Sequence, residues 1–187
     1  SESSKMDVIL TNPPFGSEEN TSVQNNFPIP VSATDALALQ YVMKKIKAGG
    51  RCGIILPESD VIFGTGKYMV IRKTLLETNN LYAVVALPKG VFKQVGADVK
   101  SYLLFFEKTG STKNIWYHEL EGNYSRTHLI SDEDLSAVYD AYKKKDISSN
   151  SWVVSLEELS KRNYNLRAIN PHKKVQEGKE PAHILND

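Results

Sequence analysis

One decapeptide near the start of this 187-residue chain carries its clearest structural signal: Asp7-Val8-Ile9-Leu10-Thr11-Asn12-Pro13-Pro14-Phe15-Gly16. Its apolar run, Val8 to Leu10, predicts a short buried strand. Pro13 has no N–H group and a fixed φ, and Asn12, as the residue before a proline, is held in extended backbone. Because two adjacent prolines end a strand's hydrogen-bond ladder, Asn12–Phe15 predicts a rigid loop at the strand tip.

The chemistry of that loop suits a planar amino group. The Asn12 side-chain oxygen and the Pro13 carbonyl are hydrogen-bond acceptors, and the ring of Phe15 follows two residues after Pro13. Acceptors beside an aromatic face predict a site that holds a planar amino group for methylation. The alternative is purely structural, a proline-stiffened turn after a buried strand with Phe15 in the core.

The rest of the first 110 residues alternates between apolar runs and amphipathic segments. A helix is predicted from a cap at Thr34 or Asp35 to about Lys47, ended by Gly49-Gly50. A second helix is predicted from about Lys67 to Glu77, and the segment Gly16–Pro30 is predicted as a long polar loop without its own elements. Further strands are predicted at Cys52–Leu56, Leu81–Leu87 and Tyr102–Phe106. This alternation predicts an α/β fold with a mostly parallel sheet.

The pattern changes after Lys108. A strand is predicted from Asn114 to Leu120 and another at Trp152–Val154, followed by a capping box in which Ser155 and Glu158 begin a helix. From Pro171 onward the chain is polar, and Glu180-Pro181-Ala182 predicts the start of another helix. An amphipathic helix is predicted from Asp132 to Lys144, with Leu135, Val138, Tyr139 and Tyr142 facing inward.

Several segments resemble one enzyme family. The decapeptide resembles the catalytic motif of amino-group methyltransferases that use S-adenosylmethionine. Other segments resemble the modification (M) subunit of bacterial type I restriction-modification systems, an adenine-N6 DNA methyltransferase. These segments are Gly49–Pro57, Ala86–Phe92 with Lys100–Phe106, and Ser155–Leu159 with Arg162–Leu166. The resemblance runs from about Asp7 to about Asn170.

The resemblance implies a partial Rossmann-like class I methyltransferase sheet whose cofactor-binding half is absent. Residues 1–110 would be the C-terminal half of the catalytic domain. Residues 111–170 would be a small α+β extension specific to the family. Residues 171–187 would be a polar tail or the start of a C-terminal helix. In the family, the glycine-rich cofactor turn precedes the Asn-Pro-Pro-aromatic motif, but here only eleven residues precede Asn12 and no G-x-G-x-x-G occurs. This chain alone is therefore expected to be inactive.

The resemblance also implies roles for individual residues. Asn12, Pro13, Pro14 and Phe15 would be catalytic, and Phe15 and Phe92 would bind the substrate by facing opposite sides of an adenine flipped out of the duplex. The alternative for Phe92 is a core residue at a strand exit. The cofactor would be S-adenosylmethionine, bound mostly outside this chain, with Asn12 the candidate contact within it. The expected partners are DNA and the specificity and restriction subunits of the same system.

Three alternatives stay open at this point. The same tetrapeptide occurs in enzymes that methylate RNA bases or protein glutamine. The chain could belong to a stand-alone DNA methyltransferase, although nothing in it resembles a recognition domain. It could also be a catalytically dead module that docks a specificity subunit.

Composition limits the class of protein. Hydrophobic residues make up 41% and charged residues 24%, as in globular domains, and no apolar run approaches the ~20 residues of a membrane span. The single cysteine, Cys52, predicts a small core residue and a reducing, cytoplasmic location. A net charge of +1 predicts weak DNA binding by this chain alone. The four histidines, His118, His128, His172 and His183, lack metal-ligand spacing, so no metal site is predicted.

Overall fold

The computed structural model describes residues 5–173. Its strands are β1 (Met6–Thr11), β2 (Ile46–Pro57), β3 (Asn80–Leu87), β4 (Ser101–Glu107), β5 (Asn114–Glu119) and β6 (Ser151–Ser155). Its helices are α1 (Thr21–Gln24), α2 (Thr34–Lys45), α3 (Asp60–Phe63), α4 (Lys67–Thr78), α5 (Asp132–Lys144) and α6 (Leu156–Lys161), with a 3₁₀ turn at Lys93–Val95.

The six strands form one sheet in the order β1-β2-β4-β3-β5-β6. Strands β1, β2, β3 and β5 run in the same direction, as predicted, but only two of the five pairings, β1–β2 and β3–β5, are parallel, so the sheet is mixed. Strand β4 runs opposite to both of its neighbours, β2 and β3, and β6 runs opposite to β5. Strands β5 and β6 continue the same sheet, so the sheet has no break at residue 110. The predicted division into a catalytic domain (residues 1–110) and a family-specific extension (residues 111–170) stays a prediction.

The sheet separates two apolar clusters. On one face, α2 and α4 bury residues such as Leu39, Leu76 and Phe106, all 0% exposed. On the other face, a smaller cluster joins β3 and β5 to α5 through Val85, Trp116 and Val138. Cys52 lies in the first cluster, as predicted, and burial raises the pKa of its thiol to about 12.

Two predictions around α2 are wrong. The residue before the helix is Ala33, because the Asp35 carboxylate instead accepts hydrogen bonds from the Ala36 amide and the Ser59 hydroxyl. The helix ends at Lys45, and Gly49 lies within β2 with φ +76°. Gly49 N–H donates to the Lys108 carbonyl, and Lys108 N–H donates to the Gly50 carbonyl. Pairing with the chain beyond β4 thus replaces the predicted helix cap.

Strand β1 is not the buried strand that its apolar run predicts. It pairs only with β2 among the described residues, and Met6, Val8 and Leu10 are 53%, 47% and 79% exposed. Helix α5 also buries less than predicted, since Val138 is buried but Leu135 and Tyr139 are exposed. Both results leave apolar side chains uncovered on the face of the sheet that carries the smaller cluster.

The segment Gly16–Pro30 contains structure that its polar composition does not predict. Asn20 caps the one-turn helix α1 by accepting a hydrogen bond from the Val23 amide. Phe27 and Ile29 pack against the apolar cluster that α2 and α4 form with the sheet. The helix start predicted at Glu180-Pro181-Ala182 lies outside the described residues. Within residues 5–173, no helix combines the length and apolar character needed to cross a membrane.

Candidate active site

The tetrapeptide Asn12–Phe15 lies where β1 ends, at the carboxyl edge of the sheet. Thr11 is the last residue of β1 and pairs with Ile54 of β2. Asn12 and Pro14 are exposed and Pro13 is buried, so Pro13 anchors the loop and the asparagine faces outward. Among residues 5–173 the Asn12 amide has no hydrogen-bond partner. Its oxygen is therefore available to a ligand.

The two aromatic residues predicted to face a base meet in the structure. The rings of Phe15 and Phe92 have centroids 5.6 Å apart and planes at 84°, an edge-to-face contact. A base stacked between two rings would need about 3.5 Å on each side, or about 7 Å between the rings. The contact therefore brings the two residues to one place, but a base can enter only if the rings move apart.

The segment that carries Phe92 approaches a residue that sequence analysis did not identify, Tyr124. It lies in the segment between β3 and β4, two residues after Gly90, which has φ +93°. A side-chain Cβ at Gly90 would overlap the Tyr124 carbonyl oxygen and lie 2.7 Å from the carbonyl carbon. Tyr124 belongs to the same apolar cluster as Val91, and Phe92 packs against that cluster. No local sequence signal connects Tyr124 to Gly90, because their contact joins positions more than thirty residues apart.

A second group missed by sequence analysis surrounds Glu58, just after β2. The Glu58 carboxylate accepts a hydrogen bond from the Tyr102 hydroxyl at 2.9 Å and forms an ion pair with Arg167 at 3.1 Å. The Arg167 guanidinium also lies 3.6 Å from the centre of the Phe63 ring. Burial, followed by the nearby Glu58 charge, raises the pKa of Tyr102 above its ordinary value. Tyr102 thus stays a hydrogen-bond donor that fixes Glu58 beside the carboxyl edge.

An apolar trough leads from β1 to Asn12. It has a volume of about 360 Å³ and lies over the middle of β1, β2 and β4. Its walls are formed by Leu10, Thr11, Asn12, Gly53, Ile54, Ile55, Leu103 and Phe105. The exposed side of β1 and this trough together form a continuous apolar approach to the motif.

The histidines have other surroundings. His118 Nδ1 lies 2.8 Å from the Ser151 hydroxyl, and His128 stacks on Tyr124. His172 is exposed, and His183 lies outside the described residues. Across residues 5–173 the structure contains no group of three or more histidine, cysteine or acidic side chains able to hold a metal ion.

Comparison with known proteins gives a consistent result. The model of the N-6 DNA methylase family matches residues 1–180. The methylase subunit of the Escherichia coli type I restriction enzyme EcoEI is 32% identical over 97% of this chain. This chain spans 39% of that relative's length.

Solved structures give the same picture. One similar chain comes from a structural study of the assembly of a type I restriction-modification system. It is 41% identical to this chain and superimposes with a TM-score of 0.86. The match covers 96% of this chain and 40% of that chain. The EcoKI M protein shares the fold, with 22% identity and a TM-score of 0.74, over 86% of this chain and 42% of its own. The class I methyltransferase sheet is thereby confirmed, and the relatives favour a DNA methylase over an RNA or protein methylase.

Proposed function

Because this chain belongs to the N-6 DNA methylase family, we propose that it is the part of a type I modification subunit that holds the target adenine for methylation at N6. The observation that carries the proposal is the Asn12-Pro13 loop at a strand tip, with the Phe15–Phe92 contact beside it. The loop provides acceptors for an amino group, and the rings provide faces for a purine.

In this mechanism, the chain activates and orients the amino group. The Asn12 side-chain oxygen and the Pro13 carbonyl accept the two hydrogens of adenine N6. These hydrogen bonds localise the nitrogen lone pair and direct it at the incoming methyl group. Positioning and preorganised polar groups supply most of the rate enhancement. The proton leaves to water after the transfer, so no general base is required.

The two aromatic residues would bind the flipped base. Adenine inside a duplex is inaccessible and has to leave the stack before reaction. Phe15 and Phe92 separate from their edge-to-face contact and receive the base between them. Stacking on an aromatic side chain contributes roughly 1–3 kcal/mol per base, more than the 0.5–1.5 kcal/mol typical of an aromatic pair. Stacking of the base therefore offsets the loss of the ring contact.

The cofactor would be S-adenosylmethionine, which supplies an electrophilic methyl group on its sulfonium. The described residues fit the acceptor side of such a site. They include no glycine-rich turn after β1, where Asn12-Pro13-Pro14 follows instead. Asn12 is the residue here that would also lie close to the cofactor. The exposed side of β1 and the apolar trough support the proposal that the cofactor-binding half packs there, because uncovered apolar surface of this kind marks an interface.

The proposed partners are DNA and the specificity and restriction subunits of a type I system. With a net charge of +1, this chain would contribute few phosphate contacts, and the affinity for DNA would come mainly from the other components. The specificity subunit would choose the sequence, and this chain would act on the adenine. A chromosomal DNA substrate places the activity in the cytoplasm.

The test is the N6-methyladenine content of DNA, measured by mass spectrometry in cells that express the full-length subunit with its specificity subunit. Asn12→Ala should abolish the modification without lowering stability, because the Asn12 side chain is exposed and unpaired. Asn114→Ala is the matched control, since Asn114 is exposed at the opposite edge of the sheet. Methylation by a folded Asn12→Ala protein would refute the role of Asn12. Absence of methyladenine with the wild type would refute the DNA substrate.

A further inference from the structure

One buried hydroxyl at the carboxyl edge of the sheet has no partner. Ser101, the first residue of β4, is 0% exposed, and its hydroxyl makes no hydrogen bond with residues 5–173. Among residues 5–173 the Thr34 hydroxyl is also buried without a partner, whereas the hydroxyls of the fully buried Thr112 and Ser151 are satisfied. Thr112 accepts from the Leu81 amide and donates to the Asn79 carbonyl, both at 2.8 Å, and Ser151 pairs with His118. A buried polar group left unpaired costs about 1–3 kcal/mol, and a ligand bound at the carboxyl edge would recover this free energy at Ser101.

The direction of the Ser101 side chain follows from the pairing of β4. Alternate residues of a strand point to the same face, so Ser101 shares a face with Leu103 and Phe105, which line the trough that reaches Asn12. Its cross-strand partner Leu87 belongs to the apolar cluster against which Phe92 packs. The Ser101 hydroxyl is thus on the same face as Asn12 and Phe92.

The separation between Asn12 and Ser101 suits a base. Asn12 directly follows β1 and Ser101 begins β4; because β1 and β4 flank β2, the two residues are about 10 Å apart across the sheet. Thr11 pairs with Ile54 and Ser101 pairs with Pro57, which adds about 7 Å along the strands. The resulting Cα separation of about 12 Å is a span that two short side chains, two hydrogen bonds of about 2.9 Å and a purine ring can fill.

The segment that carries Phe92, Pro88–Lys100, leads directly into Ser101. Phe92 has to leave Phe15 before a base can enter, and this movement occurs in the segment that ends at Ser101. We therefore expect the opening of the aromatic pair to expose the Ser101 hydroxyl.

We propose that Ser101 is a base-binding residue whose hydroxyl donates a hydrogen bond to a ring nitrogen of the flipped adenine. This inference rests on the proposed function and adds a contact on the purine ring away from the amino group held by Asn12. In the closed state the hydroxyl is unsatisfied and lowers stability, and in the bound state the base satisfies it. Ser101 thus lowers the stability of the free protein and strengthens binding of the flipped base.

The experiment compares Ser101→Ala with wild type in the full-length subunit bound to its specificity subunit. The DNA target is the site that the wild type methylates, located by sequencing. Ser101→Ala should raise the melting temperature, since it removes an unpaired buried hydroxyl. It should lower kcat/KM about five- to tenfold, the loss expected for one neutral hydrogen bond. Ser151→Ala is the control, since it removes a buried hydroxyl that has a partner and should lower the melting temperature.

Adenine analogues identify the acceptor. Targets containing 1-deaza-, 3-deaza- or 7-deazaadenine each lack one ring nitrogen. With one of them the wild type should lose activity, and Ser101→Ala should show no further loss relative to it. Ser101→Thr, which keeps the hydroxyl, should behave as wild type on adenine.

Three results would overturn the role of Ser101. The first is a lower melting temperature for Ser101→Ala, and the second is an unchanged kcat/KM. The third is that Ser101→Ala lowers activity on each of the three analogues by the same factor as on adenine. Each of these requires an active wild type. A wild type that methylates no adenine would instead overturn the proposed function, which separates the two failures.

Discussion

Gly90 tests whether the placement of Phe92 controls the proposed reaction. In Gly90→Ala, the new Cβ would overlap the Tyr124 carbonyl oxygen and lie 2.7 Å from the carbonyl carbon, whereas real Cβ atoms essentially never approach another heavy atom within 3.0 Å. Because the obstacle is backbone, the two segments have to separate by about 1 Å or more. Phe92 is two residues away and would move with Gly90.

Two effects of different origin are expected. A positive φ costs an alanine about 1–2 kcal/mol relative to glycine, so Gly90→Ala should lower the free energy of unfolding by at least this amount. A misplacement of about 1 Å at a substrate-positioning residue can reduce the rate on the order of 10²-fold. We therefore expect a loss of about 10²-fold in kcat/KM for DNA adenine methylation, which exceeds what the loss of stability alone would cause.

Gly96→Ala provides the matched control. Gly96 lies in the same segment and has φ +90°, but a Cβ at this position would have no other heavy atom within 4 Å among the described residues. It should share the conformational cost and keep the activity. The assays are denaturant unfolding and steady-state methylation by the full-length subunit with its specificity subunit. Equal activity of the two folded variants would refute the argument that Tyr124 positions Phe92 through Gly90.

Two further predictions concern stability. The Arg72 guanidinium is 0% exposed and donates to five backbone carbonyls, those of Asp60, Val61, Gly64, Asn163 and Tyr164. Arg72→Met should lower the free energy of unfolding, measured by urea denaturation, by about 3 kcal/mol or more. Arg51→Met, at an exposed position, should change it by less than about 0.5 kcal/mol. Similar values for the two variants would contradict a stabilising role of Arg72. Burial lowers the pKa of His118 below its ordinary 6.5, partly opposed by nearby carboxylates, so its contribution to stability is complete above pH 6.5 and is lost as the pH falls towards the folded-state pKa. Thermal unfolding should show this loss in wild type and a weaker pH dependence in His118→Gln; identical pH profiles would contradict it.

The positions of the elements could be predicted because their signals are local. The apolar runs at Cys52–Leu56 and Leu81–Leu87 lie within β2 and β3, and the predicted capping box of Ser155 and Glu158 is present at α6. The loop at Asn12–Phe15 follows from the missing amide of proline and its effect on the preceding residue. In each case the residues that decide the structure are neighbours in the chain.

The errors have a common cause. Gly49-Gly50 has the composition of a helix cap, but the helix ends earlier because the backbone near Lys108 pairs with both glycines. The run Val8–Leu10 has the composition of a buried strand, but β1 lies at the edge of the described sheet. Periodicity and composition report that a residue prefers burial, but they do not report whether another element covers it.

The α/β class, most element positions and the acceptor loop at Asn12-Pro13 can be read from the residues alone, because they depend on local backbone restriction and side-chain periodicity. Three relations required the folded structure: Phe92 meets Phe15, the Tyr124 backbone packs against Gly90, and the Ser101 hydroxyl is buried without a partner among the described residues. These relations depend on β4 inserting between β2 and β3. Strand insertion is set by the free energy of pairing and packing summed over the whole sheet, which no local segment encodes.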